Sequence, residues 1–148
     1  MTTTTDPATV TTTDLASQDR TAPGPVWKAG LLGGLVAASG TVAVVAVAHA
    51  AGTPVETAPG TPIPLLGFAQ VTLFFVAIGT LLARTMARRA DHPRTTFVRT
   101  TVVLTALSLV PDALLSTDAT DRLVLVLTHL VAAAIVIPAL SSRLATDR

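Results

Sequence analysis

Ala29-Gly30-Leu31-Leu32-Gly33-Gly34-Leu35-Val36-Ala37-Ala38-Ser39-Gly40-Thr41-Val42-Ala43-Val44-Val45-Ala46-Val47-Ala48 runs for 20 residues without a charge. The hydrocarbon core of a bilayer is about 30 Å thick, and about 20 apolar residues of helix cross it. The run has that length, and it lacks the polar face that a helix on a soluble core presents. Ile63 to Ala83 adds 21 uncharged residues, and Leu123 to Ser142 adds 20 without Asp, Glu, Lys or Arg, although it holds His129. A fourth stretch, Thr96 to Leu115, carries Arg99 near one end and Asp112 near the other. The arginine can snorkel to the headgroups. Four such segments cannot be hidden inside a globule of 148 residues. The expected fold class is therefore all-α: a polytopic membrane protein with a four-helix transmembrane bundle. Its spans are expected at about residues 28–50, 63–86, 96–115 and 120–141. They are flanked by a disordered Thr-rich tail over 1–26 and a short tail over 143–148.

Composition agrees with this reading. Half of the chain is hydrophobic and 13% is charged, against about 25% charged in an ordinary soluble domain. The mean hydropathy is +0.64. These values exclude a disordered chain, a basic nucleic-acid-binding domain and a coiled coil. Cysteine is absent, which removes disulfide frameworks, thiolate metal sites and thiol–disulfide exchange. Arginine outnumbers lysine nine to one, a bias of GC-rich, actinobacterial-like genomes.

Orientation follows from basic residues near the helix ends. Arg20 and Lys28 precede span one. Arg84, Arg88, Arg89, Arg94 and Arg99 lie between spans two and three, and Arg143 and Arg148 follow span four. Only Arg122 falls on the other side. The expected topology is multi-pass in the plasma membrane with both termini cytoplasmic and with outer loops at Gly52–Pro62 and Ser116–Arg122. The arginines between spans two and three fix this topology and are also suited to anionic lipid headgroups.

The N-terminus has rival readings. Ala48-His49-Ala50 resembles a small-residue cleavage site behind Lys28, but a signal h-region is about 7–15 residues long. An uncleaved first span is favoured. The first 24 residues, with Asp6, Pro7 and Pro23 among the threonines, bury too little apolar surface to fold. A threonine-phosphorylation segment is the sharper alternative there.

Within the spans, Gly30, Gly34 and Ala38 recur at four-residue spacing, which lets two helix backbones approach closely. Packing inside the monomer is the commoner use, and a dimer interface is the other. Thr101, Thr105, Ser108 and Asp112 share one face of span three. Their hydroxyls either bond back to their own helix or line a cavity. Asp118 and Asp121 mark the start of span four, where acids favour the positive end of the helix.

Four polar groups share the outer half of the membrane, one from each span: His49, Gln70, Asp112 and His129. Gln70 and His129 are expected about 9–10 Å below the outer interface at 1.5 Å per residue. Ionisable residues at such depth are candidates for function, and His129 is the deepest. The bland readings stand beside this one. His49 lies at headgroup level, Pro111 ends the regular helix at Val110 and leaves Asp112 in water, and His129 and Gln70 act as interhelical glue. Pro138 kinks the inner end of span four.

Thr128-His129-Leu130-Val131-Ala132-Ala133-Ala134-Ile135-Val136-Ile137-Pro138-Ala139-Leu140, together with Leu107-Ser108-Leu109-Val110-Pro111-Asp112 and Trp27-Lys28-Ala29, resembles a group of small actinobacterial four-span membrane proteins (domain of unknown function 6069). The resemblance covers roughly Trp27 to Leu140. It implies a four-helix membrane protein with a histidine in the last span, at His129. It implies no activity, cofactor or partner.

The expected function is that of a non-enzymatic structural, interaction or regulatory component of the cell envelope. No nucleotide motif, HExxH or GxSxG is present. The alternative is a small transporter or proton conductor with His129, Asp112, Gln70 and His49 in an outer polar pocket. No charged relay continues through the inner half of the spans. Ligation of haem or zinc by His49 and His129 would require convergence across about 7 Å of depth, so no cofactor or metal is expected. A lipid-acting enzyme would use the same residues. The expected partners are the bilayer and, beyond it, another membrane protein or a second copy, with no nucleic acid.

Overall fold

In the computed structural model, residues 25–53, 55–58, 61–115 and 118–145 are described; within them the side chains of 56–58, 61–62, 112–113 and 115 lie outside the description. Among the described residues four helices carry the fold: α1 Val26–Ala50, α2 Leu65–Arg89, α3 Pro93–Leu115 and α4 Ala119–Ser141. A short ladder, β1 Glu56–Ala58 and β2 Thr61–Pro62, joins α1 to α2.

Two clusters of buried side chains define the ends of the bundle. At one end, Ala29 of α1, Ala83 of α2, Phe97 of α3 and Leu140 of α4 pack together with Leu144. At the other, Val45 and Ala48 of α1 meet Val124 of α4, Val55 of the connecting loop, and Ile63, Leu65 and Phe68 around the start of α2. The helices therefore run up and down in turn. α1 is packed along α2 and α4, and α3 closes the ring between α4 and α2.

α1 is the axis because its side chains are small. Gly30, Gly33, Gly34, Ala37, Ala38 and Thr41 are all buried. A Cβ on Gly34 would stand 3.0 Å from Val76 Cγ1 of α2, and one on Gly30 would collide with Thr80 of the same helix. Gly33 and Gly40 face the other neighbour, with a Cβ falling 3.1 Å from Ala139 and 3.0 Å from Val131 Cγ1 of α4. Two glycine seams on one helix thus bring two antiparallel partners to backbone distance. The larger apolar side chains of α1, Leu31, Leu32, Leu35, Val36 and Val47, are exposed.

Three chain reversals follow from local chemistry. α1 ends on Gly52, whose φ of +80° is open to glycine and strained for other residues. Gly52 N–H donates to the His49 carbonyl at 3.0 Å, and Thr53 N–H donates to the Ala48 carbonyl at 3.0 Å. This is the Schellman pattern of helix termination. Thr53 Oγ1 adds a bond to the same Ala48 carbonyl at 2.8 Å. A Cβ on Gly52 would meet nothing within 4 Å, so Gly52→Ala carries a conformational penalty alone. It should destabilise the protein by about 1 kcal/mol, read as a lower midpoint of thermal unfolding in detergent with unchanged helix content.

Between α2 and α3 the chain turns in three residues, and α3 starts on Pro93, where a missing N–H is no loss. α4 starts behind Asp118, whose Oδ1 accepts from Ala119 N–H at 2.7 Å. Asp121 lies in the first turn.

The segment Gly52–Pro62, expected as a loop, holds the short ladder. It pairs Glu56 with Pro62 and Ala58 with Thr61, and Ile63 N–H donates to the Val55 carbonyl at 2.9 Å. Burial of Val55 draws this segment back onto the bundle. Of the two readings at Pro111, the helix continues through the proline to Leu115, as the expected span did, and does not end at Val110. The proline removes one hydrogen bond close to the helix end, where only about one further turn has to follow it.

Candidate functional site

Several hydroxyl side chains within the helices bond back to their own helix. Thr80 Oγ1 donates to the Val76 carbonyl at 2.7 Å. Thr101 Oγ1 reaches the Phe97 and Val98 carbonyls at 2.8 and 3.1 Å. Ser108 Oγ reaches the Thr105 carbonyl at 2.7 Å. The hydroxyls of Thr101 and Ser108 on the α3 stripe thus bond back to α3.

A polar contact crosses between α1 and α2. Thr41 Oγ1 donates to the Ala38 carbonyl at 3.0 Å and lies 3.2 Å from Thr72 Oγ1 of α2. With the Thr41 proton engaged, the Thr72 hydroxyl is the donor across the seam. Thr41 extends the glycine seam, seven residues beyond Gly34 and on the same helical face. Its partner Thr72 and the Gly33–Gly40 seam toward α4 were not singled out from the sequence. The seven-residue interval between those glycines was the available signal.

The four outer-half candidates occupy different surroundings. His129 is half-buried on α4, with Nδ1 3.0 Å from the Leu125 carbonyl oxygen. A carbonyl only accepts, so Nδ1 carries the proton, and in the neutral ring the lone pair is on Nε2. Buried Thr128 donates to the same Leu125 carbonyl at 2.7 Å. His49 is half-buried in the last turn of α1, and its Nε2 is shut off from solvent with no hydrogen-bond partner among the described residues. Gln70 is exposed on α2. Asp112 is within α3, but its side chain lies outside the described residues. α2 and α4, which bear Gln70 and His129, touch only sparsely. Among the described residues no group of three His, Cys, Asp or Glu side chains gathers into a metal-binding set.

The charges divide by end. Lys28, Arg84, Arg88, Arg89, Arg94, Arg99 and Arg143 are all exposed and belong to the end marked by buried Phe97 and Leu140, whereas Arg122 belongs to the opposite end. At the basic end, Trp27 is also exposed, and Lys28 Nζ lies 5.6 Å from its ring centroid. An amphipathic ring beside a cation is a common anchor at a membrane–water interface.

The class defined by these features is a helical protein built like a membrane protein: small residues inside, large apolar residues outside, and three helices, α1, α2 and α4, long and apolar enough to cross a bilayer. The chain belongs to a family of unknown function (DUF6069), whose profile matches residues 21–146. Neither a curated protein nor a solved structure matches it.

Proposed function

We propose that the chain is a four-span protein of the plasma membrane, with α3 as the remaining span and both termini in the cytoplasm. Its role is to pack against or regulate another envelope component, without catalysing a reaction. The observation that carries this reading is the inside-out packing: glycine seams fill the centre, and Thr80, Thr101, Ser108, Thr128 and His129 bond carbonyls of their own helices. Such an interior suits association between helices better than passage of a solute. The concentration of exposed cations at one end supports the topology by the positive-inside rule.

The absence of cysteine makes topology directly testable. Single cysteines at Asp91 and Ala145 should react with an impermeant maleimide only after cells are opened, and cysteines at Thr53 and Asp118 should react in intact cells. Function is tested in sealed liposomes containing a pH-sensitive dye. The chain should pass protons no faster than protein-free liposomes. Protein-dependent flux that His129→Leu abolishes, with folding intact, would replace this reading with transport.

A further inference from the structure

We infer that the outward face of α2 around Gln70 is a self-association surface, and that its occupant is a second copy of this chain in the same membrane. The inference rests on the membrane reading above. In α2 only 6% of the apolar window is buried within the chain, against 39% for α1 and 17% for α4. Gln70, Phe74, Ala77 and Leu81 are all exposed. They follow at steps of four, three and four, the spacing of a left-handed helix–helix seam. Gln70 lies seven residues into the uncharged run that begins at Ile63, about 10 Å below its start.

Lipid tails satisfy Phe74 and Leu81 but offer nothing to the Gln70 amide. That amide has two N–H donors and a carbonyl acceptor, and it makes no hydrogen bond among the described residues. An exposed hydroxyl such as that of Ser39 can return its single proton to its own helix, which a primary amide with both donor and acceptor cannot do completely. A second Gln70 can, because the amide is self-complementary. Two copies inserted in the same direction are related by a two-fold axis along the membrane normal. Their α2 helices then run parallel, and each residue of the seam meets its counterpart at the same depth. Gln70 thus meets Gln70, and a lone polar position in an apolar seam fixes register and copy number. The outward stripe of α4, Leu123, Leu127 and Leu130, has no such group and is suited to lipid alone. The Gly30–Gly34 face is already occupied by α2 of the same chain.

The test is oxidative cross-linking of single-cysteine variants in native membranes. Phe74→Cys and Leu81→Cys should form disulfide-linked dimers several-fold more than Leu104→Cys on α3 and Leu127→Cys on α4. Adding Gln70→Leu to Phe74→Cys should remove most of that excess, and Gln70→Asn should retain part of it. The thermal midpoint in detergent checks that Gln70→Leu still folds. Equal cross-linking at all four positions, or an excess untouched by Gln70→Leu, would overturn the inference. Maleimide labelling of the same variants separates the two readings. Slow labelling without cross-linking rejects the dimer and leaves the membrane protein intact. Labelling as fast as in a denatured control rejects the membrane reading, and the dimer with it.

Discussion

Gly30→Val should destabilise the protein by about 3 kcal/mol, at the upper end for overpacking. Even the Cβ of alanine at this position would collide with the Oγ1, Cγ2 and Cβ atoms of Thr80. Thr80 cannot easily turn aside, because its hydroxyl is bonded to the Val76 carbonyl at 2.7 Å. The remaining route is separation of α1 from α2 along their shared seam. Two comparisons locate the cause. Gly79→Ala, whose nearest neighbour would be Leu140 Cδ1 at 3.9 Å, should be neutral or slightly stabilising, since alanine favours helix. Combining Gly30→Ala with Thr80→Ala should recover much of the loss seen with Gly30→Ala alone. Reversible unfolding in detergent measures all of these variants. Additive effects of the two alanines would show that Gly30 and Thr80 do not act on each other.

Phe97→Ala should cost about 3–4 kcal/mol, the range for emptying a buried aromatic site. Phe97 is fully buried among Ala29, Ala83, Leu140 and Leu144. It is the largest side chain that α3 contributes to either buried cluster. Most of the large apolar residues farther along α3, including Val102, Val103, Leu104 and Leu107, face outward. The loss should therefore be local before it is global. Amide exchange should quicken through the first turns of α3 while the α1–α2 seam stays protected. Uniform loss of protection over all four helices would show that Phe97 holds the whole bundle together and not α3 alone.

The helices were legible in the sequence because apolar length needs no tertiary context. Ala29 to Ala48 forms a helix whichever neighbours it acquires. Their pairing was less legible. The Gly30–Gly34 spacing announces that some backbone comes close, but whether that backbone belongs to the same chain depends on complementary residues far along it. Thr80 and Val76 carry no distinctive pattern of their own. Pro111 left two readings open in the sequence, because proline often ends a helix, yet near a helix end it leaves little helix to interrupt. The β1–β2 ladder was missed because Glu56 to Pro62 has no alternating apolar signal. What draws that segment inward is a single buried residue, Val55. For the candidate site, the sequence reading placed four polar groups at similar depth but could not set their directions, since depth depends on residue number and direction on packing. The structure shows Gln70 exposed on the surface and gives His129 a bond to its own helix.

The narrow axis of the bundle has a further consequence. Glycine and alanine lose no rotamer freedom when buried, whereas long side chains lose up to about 2 kcal/mol each. Ordering α1 between its two neighbours therefore freezes few χ angles, and its flexible leucines, Leu31, Leu32 and Leu35, stay on the outer face of the bundle. The association of these helices is opposed chiefly by the restriction of whole rigid rods. A protein assembled in this way can hold its shape with modest contact energy, while its outer surface stays conformationally fluid.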